Sequence, residues 1–87
     1  MERMSLKLYL VSCDLLQPGD YNSLKNRLVS LSARQVMANQ WALRSTYTAA
    51  QLKNLLGEFL DAKDRILVTE VGQEWASRRA FLSLAGL

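Results

Sequence analysis

The first hydrophobic segment of the chain alternates in a way that predicts a buried strand. Within residues 6–13 the leucines occupy one set of alternating positions, and Tyr9, Val11 and Cys13 occupy the other. Apolar side chains on both faces are typical of a strand that is covered on two sides, and such a strand is central in its sheet. The segment ends on Asp14, so the pattern predicts a carboxylate at the exit of a central strand.

A loop and an amphipathic helix are predicted after this strand. Pro18 and Gly19 favour a turn within a loop over residues 14–20. Asp20 is predicted to be the N-cap of the helix, because its carboxylate can accept hydrogen bonds from amides of the first turn. The helix is expected to extend to about residue 32, and its apolar stripe consists of Tyr21, Leu24, Leu28 and Leu31.

A short hairpin and a second helix are predicted in the middle of the chain. Residues 34–38 and 41–45 are strand candidates, with a tight connection at residues 39–40. Residues 48–51 read Thr-Ala-Ala-Gln, a capping box that begins a helix. The apolar positions of this helix fit the spacing of one helical face: Leu52, Leu55, Leu56, Phe59 and Leu60.

The order of elements predicts an α+β fold with ferredoxin-like βαββαβ topology. A last strand is expected over residues 66–71. Right-handed crossovers then place both helices on one face of a four-stranded antiparallel sheet, with the first and third strands central. This domain takes up residues 1–72. The apolar C-terminal tail, residues 73–87, is expected to pack on the domain or on a dimer partner.

Length and composition favour a small protein that associates with itself. The chain has 87 residues, enough for one domain, and 49% of them are hydrophobic. The helices cover only one face of the sheet, so the second apolar face predicts a homodimer with twofold symmetry. The single cysteine fits a reducing, cytoplasmic setting, and no apolar run is long enough to predict a membrane span.

The residue types that are absent exclude several classes of enzyme. Without histidine the chain has no imidazole acid or base, and a single cysteine cannot hold a structural zinc ion. The glycines match neither the dinucleotide-binding spacing nor the P-loop spacing. Metal-assisted phosphodiester hydrolysis stays open, because Mg²⁺ needs only one or two carboxylates besides water and phosphate oxygens.

Asp14 is the candidate for this chemistry, both as a Mg²⁺ ligand and as a catalytic residue. At the end of a central strand it lies at a rim that a metal or a phosphate can reach, and two copies across a dimer axis would supply a pair of carboxylates. The alternative is that Asp14 only shapes the loop by bonding its own backbone. Cys13 is interpreted as a small buried apolar residue.

Basic residues are candidates for contact with nucleic acid. The formal net charge of +3 permits a polyanionic partner without requiring one. Phosphate contacts in proteins commonly use arginine and lysine without a distinctive motif. The candidates on a dimer are Arg34, Arg44, Arg78 and Arg79. Trp41 and Trp75 could stack on bases, but core or interface packing is the preferred interpretation.

Several segments resemble the family of CRISPR-associated protein 2. They are YLVSCDL at 9–15 with QPGDY at 17–21, QWAL at 40–43, and DRILVTEV at 64–71. In order and spacing the chain is most similar to a stand-alone, SinR-like branch of this family. An aromatic residue is common in the family at the position that Cys13 occupies here.

The resemblance implies a ferredoxin-like homodimer whose sheets face one another. It also implies that Asp14, which matches the family's strand-end aspartate, lies near its symmetry mate and holds Mg²⁺ for endonuclease cleavage of RNA or DNA. Two alternatives are a non-enzymatic dimerising adaptor or toxin–antitoxin-type module, and a small-ligand sensor at the dimer cleft.

Overall fold

The chain forms an antiparallel sheet that is covered on one face by helices. The computed structural model describes residues 6–16, 21–80 and 84. Within these residues the elements follow the order strand, helix, strand, strand, helix, strand. They are β1 (Lys7–Asp14), α1 (Asn22–Ser30), β2 (Arg34–Met37), β3 (Gln40–Ser45), α2 (Ala49–Gly57) and β4 (Arg65–Glu70).

The strand order confirms the ferredoxin-like topology. In the described part of the chain the sheet has four strands in the order β2-β3-β1-β4, so β1 and β3 are central as predicted. Each neighbouring pair is antiparallel. The fold class is therefore α+β. Asp14, the last residue of the central strand β1, lies at one edge of the sheet.

The hydrophobic core lies between the sheet and the helices. Tyr9, Val11 and Cys13 project from β1 into this core, and each is 6% exposed or less. Alternation along the strand brings these three side chains onto one face, where they meet the apolar stripes of both helices. The helical members of the core cluster are Leu24, Leu28, Leu52 and Leu56.

The face of the sheet away from the helices is called the open face here. On β1 it bears Leu8, Leu10 and Ser12, which are half-buried. Their cross-strand neighbours on β3 share this face because directly opposed residues project to the same side. These neighbours are Arg44, Ala42 and Gln40.

The C-terminal tail lies against the open face. Ala76 and Ala80 of the tail line one cavity together with Leu10 of β1 and Val36 of β2. Val36 and Ala42 are 3% and 0% exposed although they lie outside the core cluster under the helices. The tail therefore covers the centre of the face that the sequence pattern leaves open for a dimer partner.

The first helix begins one residue later than the sequence predicts. Tyr21 occupies the N-cap position of α1, and its side chain makes no capping hydrogen bond. The prediction of Asp20 as the N-cap is therefore wrong, and Asp20 itself lies outside the described residues. Tyr21 is instead held by its hydroxyl, which donates to the Asp64 carboxylate at 3.0 Å.

The hairpin turn lies one residue before the predicted one, at residues 38–39. Gln40 belongs to β3, where its side-chain amide donates to the Ser12 hydroxyl at 3.0 Å. The amide N–H of Cys13 donates to the carbonyl of Asn39 at 2.9 Å, which extends the pairing with β1. The β2–β3 pairing has a register irregularity between Gln35 and Met37.

The capping box at the start of α2 is confirmed. The Thr48 hydroxyl accepts from the amide of Gln51 at 3.1 Å, and the Gln51 side chain accepts from the amide of Thr48 at 2.8 Å. The helix ends at Gly57, although the apolar pattern continues to Leu60. After Gly57 the backbone hydrogen bonds join residues three apart, as in a 3₁₀ turn. Leu60 still packs against the core.

Candidate strand-end site at Asp14

Asp14 is the last residue of β1 and lies directly opposite Arg65, the first residue of β4. The Nη1 atom of Arg65 donates to Oδ2 of Asp14 at 3.1 Å. Both side chains are largely exposed, at 55% for Asp14 and 75% for Arg65. They lie at an open cleft of about 290 Å³ that is also lined by Asn39 and Gln40 of the hairpin.

The donor set at this cleft fits part of a magnesium site. Asp14 offers one carboxylate to solvent, and Mg²⁺ is commonly held by one or two carboxylates together with water and substrate oxygens. In the described residues no group of three His, Cys, Asp or Glu side chains is placed to hold a metal ion. The guanidinium of Arg65 is a suitable partner for a phosphate at the same place.

Cys13 is adjacent to Asp14 in the chain, but its side chain belongs to the hydrophobic core. Its side chain is buried between the sheet and the helices, as the sequence predicts. Burial raises the pKa of the thiol, and the nearby negative charge of Asp64 raises it further. Because the thiolate is the reactive form of cysteine, this environment disfavours a nucleophilic role for Cys13.

Asp64 organises the loops around the candidate site, a role that the sequence analysis missed. Its carboxylate accepts from the amide of Leu16 at 2.8 Å, from the amide of Asp61 at 2.9 Å and from the Tyr21 hydroxyl. One side chain thus ties the loop after β1 and the start of α1 to the connection before β4. Its position in a polar turn just before a strand could have suggested an Asx turn, but not the two long-range contacts.

The predicted arginines do not surround Asp14 within one chain. Arg34 and Arg44 lie on the open face, because Arg34 of β2 is opposite Ala42 and Arg44 is on the same side of β3 as Ala42. Arg44 is opposite Leu8, six residues from Asp14 along β1, which places it about 20 Å away along the strand.

The other two predicted arginines belong to the tail. Arg78 lines the cavity between the tail and the open face. Arg79 is exposed and has a backbone φ of 58°, in the left-handed region. The structure therefore brings three of the four arginines, Arg34, Arg44 and Arg78, to the open-face side of the sheet.

The tryptophans have different environments. Trp41 is partly buried and packs against the core cluster, which confirms its interpretation as a packing residue. Trp75 in the tail is 38% exposed and lines a shallow groove with Leu8 and Arg44.

The comparisons with known proteins leave the family open. No family model, curated protein or solved structure matched this chain. Among the described residues, none of the helices has the length and hydrophobicity needed to span a bilayer. The structure defines the class of fold: a ferredoxin-like α+β domain. An exposed ion pair, Asp14 with Arg65, lies at one edge of its sheet.

Proposed function

We propose that this protein is a cytoplasmic, nucleic-acid-associated homodimer related to CRISPR-associated protein 2, and that Asp14 is the centre of Mg²⁺-dependent phosphodiester cleavage. The observation that carries the proposal is the pairing of Asp14 with Arg65 at an open cleft. A carboxylate can ligate a metal ion, and a guanidinium beside it can bind the phosphate that the metal acts on.

The chemistry divides between the two side chains. Asp14 would hold the ion at the strand end, where its backbone lies opposite Arg65 of β4. Arg65 would turn from Asp14 toward a phosphate oxygen and orient the phosphodiester. When bound, the ion would supply Lewis-acid polarisation of the scissile phosphate. Arg34, Arg44, Arg78 and Arg79 would bind flanking phosphates along the dimer.

Exposed apolar side chains support the homodimer. Leu67 on β4 and Met37 on β2 are 64% and 46% exposed, and both project from the open face. They lie on opposite edge strands, and Met37 also borders the cavity beneath the tail. A second copy of the chain could bury both residues, and a twofold axis through the open face would make the contact self-complementary.

The decisive experiment compares cleavage of single-stranded RNA and duplex DNA, with and without Mg²⁺, by the wild-type protein and by Asp14→Asn. Asp61→Asn is the matched control, because Asp61 is another exposed aspartate that lies outside the cleft. The proposal expects cleavage to be lost in Asp14→Asn and kept in Asp61→Asn. Cleavage that survives in Asp14→Asn would contradict the role of Asp14.

Two further measurements separate binding from catalysis. Binding to either nucleic acid should weaken steeply as salt rises if phosphates are contacted, and the double variant Arg34→Gln/Arg44→Gln should reduce that salt dependence. Light scattering should give the mass of a dimer. A monomer at micromolar concentration would contradict the homodimer.

The second candidate is a non-enzymatic adaptor or toxin–antitoxin-type module. The observation that favours it is the hydrogen bond from Arg65 to Oδ2 of Asp14, which already engages one carboxylate oxygen within the protein. A dimer that neither cleaves nor binds nucleic acid would support this candidate over the first.

A further inference from the structure

An apolar cavity that is partly open to solvent lies between the tail and the open face, apart from Asp14 and Arg65. It has a volume of about 230 Å³ and lies between Leu10 and Met37 of the sheet and Ala76 and Ala80 of the tail. Asp14 does not line it. Ligand-binding pockets for drug-sized molecules are about 300–1,000 Å³, so this cavity suits a smaller occupant.

Arg78 is the one charged residue among the described residues that line this mostly apolar cavity. No carboxylate side chain is found among the described residues of the lining. The ion pairs found among the described residues are Lys7 with Glu70 and Arg65 with Asp14, and neither involves Arg78. The neighbouring polar groups in the lining are the Ser77 hydroxyl and the Gln40 amide, which are neutral. A guanidinium next to apolar walls is complementary to a molecule with one negative charge and an apolar body.

We propose that this cavity binds a small amphipathic anion, namely a medium-chain alkyl carboxylate. The carboxylate would pair with the Arg78 guanidinium, and the alkyl chain would lie between Leu10, Met37 and Ala80. Bound in this way, the ligand would hold the tail against the open face, because its two ends contact the tail and the sheet together.

The chain-length dependence of binding distinguishes this ligand from a simple anion. Each additional buried methylene should raise the affinity about fourfold. Butyrate, hexanoate and octanoate should therefore bind progressively more tightly until the cavity is full. Inorganic phosphate carries charge without an apolar body, and octanol carries the body without the charge, so both should bind much more weakly than octanoate.

The test is an NMR titration of the whole chain with octanoate, comparing wild type, Arg78→Gln and Arg79→Gln. Arg79 is the matched control because it is adjacent and exposed but does not line the cavity. We expect octanoate binding to weaken about tenfold or more in Arg78→Gln. It should change less than twofold in Arg79→Gln and in Asp14→Asn.

A second variant tests the apolar part of the site separately. Ala80→Leu should fill the cavity and weaken octanoate binding while leaving the charge of Arg78 in place. Absence of octanoate binding would overturn the proposal, as would equal affinity in wild type and Arg78→Gln, phosphate binding as tight as octanoate, or no dependence on chain length. Nuclease activity bears on none of these outcomes.

Discussion

Asp14 and Arg65 face each other across the β1–β4 pair, and the guanidinium donates to the carboxylate over 3.1 Å. The pair is exposed, and exposed ion pairs contribute little to stability. Its importance is electrostatic, because a cation next to Asp14 competes with any metal ion for the same carboxylate.

Arg65→Gln should therefore lower the Mg²⁺ concentration needed for half-maximal occupancy of the Asp14 site. The free energy of unfolding should change by less than about 1 kcal/mol, since the pair is solvated. Metal titration and urea denaturation measure the two effects. Lys7→Gln is the control, because it breaks the other exposed pair, with Glu70, and makes the same change in charge. Equal Mg²⁺ affinity in both variants would show that Arg65 does not compete at Asp14.

Asp64→Asn should destabilise the protein by about 1–3 kcal/mol. The carboxylate accepts from two backbone amides and the Tyr21 hydroxyl, and an amide side chain cannot serve all of these donors. Asp61→Asn should cost less, because the carboxylate of Asp61 accepts one bond, from the neighbouring amide of Ala62 at 3.2 Å. Urea denaturation followed by tryptophan fluorescence compares the two. Equal losses would mean that the Asp64 network is not what holds these loops.

Thr48→Ala should cost about 1 kcal/mol of stability, because it removes the side-chain half of the capping box on α2. Thr46→Ala is the control, since Thr46 is exposed and precedes the helix. The measurement is the urea concentration at the midpoint of unfolding, compared between proteins that have the same m-value. If Thr46→Ala is equally destabilising, the effect does not come from the cap.

The stability of the fold should fall at alkaline pH through Cys13. Burial raises the pKa of this thiol above its ordinary value of 9.0, so the folded state binds the proton more tightly than the unfolded state. The resulting stabilisation is complete below about pH 9 and is lost as the pH rises through the folded pKa. Wild type should therefore lose more stability than Cys13→Ala between about pH 7.5 and pH 10. A parallel loss of stability in the two proteins would contradict the role of Cys13.

Lifting the tail should expose the centre of the sheet. Ala80→Glu places a charge among the apolar residues of the tail cavity, so Val36 and Ala42 should become accessible and self-association should increase. Light scattering across a concentration series measures this association. Gln73→Glu is the control, because it adds the same charge at an exposed position of the tail. Unchanged association in Ala80→Glu would show that the tail does not shield this surface.

The sequence predicts the fold because its strongest signals are local. Alternation in β1 and the capping box at Thr48 need no knowledge of distant residues, and both are confirmed. The hairpin turn is misplaced by one residue because Gln40 pairs with Ser12, 28 residues away. The N-cap of α1 is wrong for a similar reason, since Tyr21 is held by a contact with Asp64.

The candidate site is predicted only in part. The position of Asp14 at a strand end follows from the length of the apolar run, whereas its pairing with Arg65 depends on the β1–β4 register. Asp64 could not be identified because its hydrogen bonds join segments more than 40 residues apart. The position of the tail also depends on packing, because its apolar residues lack a clear period.

The burial of Cys13 provides a way to observe the molecule open. It is the only cysteine in the sequence, so a thiol-specific reagent has a single target in the chain. Because the Cys13 side chain is buried, the rate of reaction reports how often the structure around the sulfur opens. Every variant described above that keeps Cys13 can be ranked by this rate, without adding a label to the protein beforehand.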